Sequence, residues 1–105
     1  IHHQQVALRG LNQVACMELG PAGIRVNSVH PGFIETLTTS GANPEFREAT
    51  IAETPLGRAG SSEEIAILVL FLLSDLSSFV NGAEMPVDGG QTAHRGAKSI
   101  SDALK

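Results

Sequence analysis

The chain lacks the features that would tie it to an oxidising compartment or to nucleic acid. Among its 105 residues there is one cysteine, Cys16, which excludes an internal disulfide or a cysteine-based metal framework and favours a reducing compartment. Its net charge is -4 and no Lys/Arg run is present, so the sequence carries no electrostatic footprint for nucleic acid or an anionic membrane. Small molecules or other protein subunits are therefore the expected partners.

Long apolar runs and metal-binding spacings are also missing. The longest apolar run, residues 65–73, is well short of the roughly 20 residues that span a bilayer, and no basic-then-apolar signal opens the chain, so we predict a cytoplasmic protein. The histidines lack the paired spacing of a metal site, and we predict no metal; they are His2, His3, His30 and His94. With 42% hydrophobic and 17% charged residues, the composition is that of a globular chain.

The apolar pattern predicts an α/β order of elements. Helical spacing covers residues 4–19, a strand covers 24–30, a short helix covers 44–53, an apolar helix covers 62–74 and a second strand covers 83–88. A strand, a helical crossover and a parallel strand form the βαβ unit of doubly wound folds. One domain at most fits this length, and its core should be marginal.

The helix at 62–74 carries two signals. Ser61 and Glu64 have the spacing of a capping box, which predicts the start of the helix. Apolar residues cover so much of its circumference that we expect burial on more than one side.

A Pro-Gly turn ends the first strand and marks the expected functional edge, residues 31–36. Ligands of open α/β sheets bind at the carboxyl ends of strands, where Pro31 would fix φ and Gly32 would let the backbone approach a ligand. The alternative is a plain strand-ending turn. We expect structural roles for His30 and for Asn27, whose side chain would satisfy nearby loop backbone.

Four separated blocks, at residues 19–32, 55–58, 63–66 and 87–90, resemble the C-terminal part of the short-chain dehydrogenase/reductase family. The resemblance covers residues 7–92 and is closest to hydroxysteroid-type or ketoacyl-type reductases of bacteria. It implies the C-terminal portion of a doubly wound Rossmann-type parallel sheet. Residues 1–105 would be a fragment of one such domain, with 37–60 as the substrate-loop region and 91–105 as the tail.

The resemblance also implies a cofactor site and a mode of assembly. The cofactor would be NAD or NADP, with the backbone of Ile34 holding the nicotinamide carboxamide and Thr36 bonding the same group or the nearby phosphate, beside Pro31 and Gly32. The small-molecule substrate would be an alcohol/ketone pair. A homo-oligomer, a tetramer in the family, would form through the helix at 62–74 and the second strand.

The chain departs from the family at its start. The family's catalytic tyrosine and lysine would fall at Ile1 and Gln5, which can neither give a proton nor supply an ammonium, so we assign no catalytic residue. The Gly-rich phosphate turn is absent as well. We therefore expect a fragment of an NAD(P)-dependent oxidoreductase that is inactive alone. The alternative is a non-catalytic oligomerisation or interaction module.

A reading-frame shift is one explanation of that start. Residues 1–6 can be written ATA CAC CAC CAG CAA GTN, and reading one base later gives Tyr-Thr-Thr-Ser-Lys, the family's catalytic pattern in its expected place. The hypothesis requires ATA as the codon of Ile1, so the sequence of the locus tests it.

Overall fold

The computed structural model describes residues 2–36, 41 and 43–93. The helices are α1 (His2–Leu19), α2 (Pro44–Ala52) and α3 (Ser62–Leu73), and the strands are β1 (Ser28–Pro31), β2 (Ile34–Glu35), β3 (Gly60–Ser61) and β4 (Glu84–Val87). Short 3-10 turns occupy Gly20–Ala22, Asp75–Ser77 and Gln91–Ala93. The predicted order of three helices and two main strands is confirmed.

The helix boundaries follow from local chemistry. The Asn43 side chain accepts the Glu45 N–H at 2.8 Å, and Pro44 takes the first position of α2. At α3 the capping box forms as predicted, since Glu64 Oε1 accepts the Ser61 N–H at 3.0 Å and Ser61 Oγ accepts the Glu64 N–H at 3.3 Å. Both helices therefore begin where their side chains satisfy free N–H groups.

The strands form two pairs. β1 and β4 are neighbours, and the bonds from Ser28 N to Ala83 O at 2.9 Å and from Gly32 N to Val87 O at 3.0 Å advance together along both strands, as in a parallel pair. β2 and β3 are parallel, with Ile34 opposite Gly60 and Glu35 opposite Ser61. The sequence did not predict this second pair, because two-residue strands have no readable period.

The predicted start of the first strand is wrong. β1 begins at Ser28 rather than at residue 24, and it runs through Pro31, which was expected to lie in the turn. The Val26 N–H donates to the Asn81 side chain at 2.9 Å, a contact that no strand ladder makes. The branched apolar residues before Ser28 therefore have the sequence pattern of a strand, but they lie in a connecting segment that a side-chain hydrogen bond holds in place.

The chain divides into two compact units. The first unit comprises Ile1–His30 with Ile67–Met85, and the second unit comprises Pro31–Ala66 with Pro86–Lys105.

Side-chain bonds to backbone hold the first unit together. Arg25 donates to Ser77 Oγ at 3.0 Å, to Ser74 O at 3.1 Å and to Val80 O at 3.3 Å. Asn27 accepts the Ala83 N–H at 2.9 Å and donates to Val80 O at 3.0 Å, so its predicted structural role is confirmed. These bonds fasten the segment before β1 to the connection between α3 and β4.

The apolar face of α3 is not covered as expected. Leu72 is buried, but Ile67, Leu70 and Leu73 are 68%, 66% and 77% exposed, and Phe79 just beyond the helix is fully exposed. The sequence-based expectation of burial on more than one side included a second subunit against this helix, so for the outer face it stays a prediction. Its excess apolar residues face outward.

Candidate functional site

The second unit contains a cavity beside the predicted functional edge. Its volume is about 380 Å³, within the range of small-molecule sites. The apolar part of its wall comes from Phe33, Ile34, Leu56, Ile65, Pro86 and Val87. These residues belong to the turn after β1, to β2, to the segment before β3, to α3 and to β4.

An arginine and a glutamate at the cavity neutralise one another. Arg58 donates from both terminal nitrogens to the two oxygens of Glu64, each at 2.9 Å. The hydrogen bonds from Arg58 and from the Ser61 backbone lower the pKa of Glu64 to about 2, and the bond with Glu64 raises the pKa of Arg58. Both groups are therefore charged and paired at neutral pH.

The Asp88 carboxylate is used by its own turn. Its oxygens accept the Gly90 N–H at 2.9 Å, the Thr92 N–H at 3.1 Å and the Thr92 hydroxyl at 2.7 Å. Burial raises the pKa of Asp88, but the bonds from Thr92 and the turn backbone outweigh it, and the pKa is lowered. The turn needs glycine at two positions, because Gly89 and Gly90 have φ of 64° and 98°.

Close contacts join this turn to both sides of the cavity. A Cβ on Gly32 would lie 2.6 Å from Asp88 Cβ, and one on Gly89 would lie 2.7 Å from Thr54 Cγ2. The Leu56 N–H also donates to Gly89 O at 3.1 Å. The turn whose N–H groups bond the Asp88 carboxylate therefore packs on one side against the residues that follow β1. On the other side it packs against Thr54 and Leu56 of the predicted substrate-loop region.

The predicted cofactor residues lie at the end of β1 and along β2. Pro31 ends β1, Ile34 belongs to β2 and lines the cavity, and Thr36 follows β2 directly. The Gly32 N–H donates to Val87 O, and a Cβ here would meet Asp88. Close packing against Asp88 accounts for this glycine, whereas the sequence suggested close approach to a ligand.

The partners of the described arginines bear on which part of a dinucleotide this region could hold. Ile34 of β2 lines the cavity. Each arginine in the described ranges is already engaged inside the chain: Arg9 with Glu84 at 2.8 Å, Arg25 with the Ser77 region, Arg47 with Glu35 at 3.2 Å and Arg58 with Glu64. Within those ranges, a diphosphate would have to share an arginine with a partner that it already has.

The remaining sequence-predicted positions contribute little to this site. Ile1 lies outside the described residues, and Gln5 lies in α1 with its side chain outside them. His30 Nε2 is 3.0 Å from Ser28 Oγ, a local contact within β1. In the described ranges no three His, Cys, Asp or Glu residues lie together as metal ligands would, and no helix there is long and apolar enough to cross a membrane.

Sequence reasoning missed the pairing of Arg58 with Glu64 and the turn lock at Asp88. An arginine six residues before a helix-capping glutamate is a usable signal for the first, because the cap fixes the position of the carboxylate. The second could have been inferred from the sequence Asp-Gly-Gly-Gln-Thr at residues 88–92, since short acidic side chains bond the backbone two residues on.

Comparison with known proteins places these features in a wider group. Residues 2–92 match a family model described as enoyl-(acyl carrier protein) reductase. The chain is 48% identical over 86 residues to trans-4-hydroxycyclohexanecarboxylate dehydrogenase of Sinomonas cyclohexanicum, covering 82% of this chain and 31% of that protein. It is 49% identical to 3-alpha-(or 20-beta)-hydroxysteroid dehydrogenase of Mycobacterium tuberculosis, covering 83% of this chain and 32% of that protein.

A solved structure agrees in fold. The crystal structure of a putative 2-deoxy-d-gluconate 3-dehydrogenase from Agrobacterium tumefaciens with bound NADP superposes with a TM-score of 0.76 at 39% identity, covering 81% of this chain and 35% of that one. The chain thus spans about a third of the length of the relatives it matches.

Proposed function

Because the chain belongs to the short-chain dehydrogenase/reductase family, we propose that it is the C-terminal third of an oxidoreductase that transfers a hydride between NAD or NADP and an alcohol/ketone pair. The observation that carries this proposal is the position of Ile34, which lies just beyond the carboxyl end of β1 and lines a cavity of about 380 Å³. That edge is where open α/β sheets bind their ligands. The bound nicotinamide supplies the hydride acceptor or donor.

The residues of this chain bind the cofactor and the substrate and orient them. The backbone of Ile34 holds the nicotinamide carboxamide, and Thr36 bonds the same group or the adjacent phosphate. Pro31 and Gly32 set the path of the turn, which Asp88 supports through its contact with Gly32. The substrate-loop region binds the substrate, and Leu56 and Arg58, in its described part, line the cavity. The relatives support a hydroxysteroid-type or ketoacyl-type substrate.

General acid catalysis has no agent in this chain. Isoleucine at position 1 has no proton to give, and glutamine at position 5 carries no charge that could lower the pKa of a neighbouring phenol. The chain by itself is therefore catalytically inert, and its contribution is the wall of the nicotinamide site.

A chimera tests the proposal. Residues 7–92 replace the matching third of the Sinomonas dehydrogenase, whose own sequence supplies everything before that segment. The expected result is cofactor reduction with a cyclic alcohol. Thr36→Val should raise the KM for the cofactor, whereas Thr50→Val, in α2, should not. A folded chimera that binds no cofactor would contradict the proposal.

A second function is favoured by the exposed face of α3. Ile67, Leu70 and Leu73 follow one another at three-residue spacing and are about two-thirds exposed or more. Such a face suits a non-catalytic oligomerisation module that joins related full-length subunits through α3 and β4, as in a tetramer. Co-purification of the tagged chain with a full-length relative tests this, with Leu70→Lys as the variant expected to abolish it.

A further inference from the structure

Two side-chain contacts join the N-terminal end of α2 to the edge of the cavity. The rings of Phe33 and Phe46 meet edge to face, with centroids 6.4 Å apart and planes inclined at 68°. Arg47 donates from Nε to Glu35 Oε2 at 3.2 Å, and Nη2 of the same arginine lies 3.2 Å from that oxygen. All four residues lie outside the sequence blocks that carry the family resemblance. Two neighbouring residues of α2 therefore contact the short segment that contains β2.

The C-terminal end of α2 is fixed in a different way. Thr54, just beyond the helix, is 4% exposed, and its N–H donates to Ile51 O at 3.0 Å. Its methyl group packs so closely on the neighbouring turn that a Cβ on Gly89 would lie 2.7 Å away. By contrast, the side chains of Arg47 and Glu35 are 42% and 39% exposed. Because an exposed ion pair is weak and is screened by salt, the N-terminal end of α2 is the end that can be released.

The ion pair acts on the strand that carries the predicted nicotinamide contact. Glu35 lies between Ile34 and Thr36, and successive residues of a strand point to opposite faces of the sheet. Ile34 lines the cavity, whereas Glu35 is outside the lining and bonds to α2. Phe33, which contacts α2 directly, also lines the cavity. The position of α2 therefore acts on the cavity wall through the ring of Phe33 and through the backbone of β2.

We propose that Glu35 and Arg47 are positioning residues, whose ion pair holds the N-terminal end of α2 on β2 and thereby fixes Phe33 and Ile34 in the cavity wall before a ligand binds. A helix of nine residues is too short to persist without tertiary contacts, so loss of the pair frays α2 from this end. The consequence for the cofactor rests on the proposed function, whereas the local effect rests on the contacts alone.

Hydrogen exchange of the full chain, without cofactor and followed by residue-resolved mass spectrometry, tests the proposal. Glu35→Gln keeps the size of the side chain and removes its charge, so the amides of residues 48–52 should exchange about threefold faster. The amide of Thr54 should keep its rate. Glu63→Gln removes an equal charge from α3 and, as the matched control, should leave both rates unchanged. Unchanged exchange at residues 48–52 in Glu35→Gln, or an equal acceleration at Thr54, would overturn the proposal.

A charge swap separates the ion pair from a general loss of packing. Glu35→Arg alone and Arg47→Glu alone should each speed exchange at residues 48–52, because each substitution places like charges side by side. The two substitutions together restore opposite charges and should return the exchange rate to within about twofold of the wild type. A double variant that exchanges as fast as either single variant would overturn the assignment.

The effect on the cavity wall is measured at the methyl group of Ile34, by NMR of the chain labelled at its isoleucine methyl groups, with Ile34→Val to assign the signal. Arg47→Met, in α2 and outside the cavity lining, should shift this signal. Arg47→Lys keeps the charge and should return the signal most of the way to its wild-type position. A signal that stays in place in Arg47→Met would overturn the positioning role. Because neither measurement involves cofactor or turnover, this outcome and failure of hydride transfer in the chimera are separate results.

Discussion

The two units of the chain are stabilised by different kinds of contact. The first is held by hydrogen bonds from polar side chains to backbone, such as those of Arg25 and Asn27, and Leu70 and Leu73 of α3 stay exposed in it. The second is tied by glycines in close contact and by charges that are internally paired, and it encloses a cavity. The difference indicates that the first unit is suited to binding another protein surface, whereas the second is suited to binding a small molecule.

The largest expected effect is the loss of the self-association that we attribute to the exposed residues of α3 in the first unit. Leu73→Lys places a charge on a side chain that is 77% exposed and should convert an assembly of the chain to single chains. Ser78→Lys adds the same charge at an exposed polar position and should leave the assembly intact. Light scattering measures both, and a wild-type chain that is already a stable monomer would contradict this account.

The next largest effect is a loss of free energy of unfolding when the polar hydrogen bonds of the first unit are removed. Arg25→Met removes three hydrogen bonds, one of them to the hydroxyl of Ser77, which is 1% exposed and keeps its bond to Phe71 O. The free energy of unfolding should fall by about 3 kcal/mol. Arg47→Met, which breaks a solvent-exposed pair with Glu35, should cost about 0.5 kcal/mol. Urea unfolding gives both values, and equal losses would refute the difference.

A glycine substitution measures the close packing of the second unit. Gly32→Ala brings a methyl group within 2.6 Å of Asp88 Cβ and 2.8 Å of its Cα, so the backbone must shift. The expected loss is about 2 kcal/mol. Gly41→Ala meets no atom within 4 Å and should change stability by less than about 0.5 kcal/mol. If the two variants unfold at the same urea concentration, the packing argument fails.

The smallest expected effect is on the stability of the chain at low pH. The pKa of Glu64 is lowered from 4.5 to about 2 in the folded chain, so its stabilising contribution is complete above pH 4.5 and is lost as the pH falls toward 2. Glu64→Gln should therefore flatten the stability profile over this interval, and Glu63→Gln should not. Thermal unfolding at a series of pH values measures the slope, and identical slopes for the wild type and Glu64→Gln would contradict the pairing with Arg58.

Sequence patterns predicted what depends on neighbours along the chain. The cap formed by Ser61 and Glu64 and the proline that opens α2 follow from local chemistry, and the structure has them. The second main strand, predicted at 83–88, is present at Glu84–Val87. The start of β1 and the pairing of β2 with β3 depend on partners 26 or more residues away, so no local pattern specified them. For α3, the number of apolar residues predicts that more than one side is covered, but it does not say what covers the side that is exposed in the single chain.

At the candidate site, too, the sequence predicted some residues and missed the contacts that depend on distant parts of the chain. Pro31, Gly32, Ile34 and Thr36 were proposed from the turn and the family resemblance, and the structure places Ile34 at the cavity. The need for glycine at position 32 comes from Asp88, more than fifty residues later, and could not be inferred from the turn alone. The charge balance at the cavity likewise requires three-dimensional contacts.

The central claim is that this chain supplies the wall of a nicotinamide site without the groups that hold the rest of the cofactor. Isothermal titration calorimetry of the purified chain with NADH and with NADPH tests it most directly. Each arginine of the described residues is engaged within the chain, and the Gly-rich phosphate turn is absent from the sequence, so no saturable heat of binding is predicted. Micromolar affinity for either cofactor would contradict the claim.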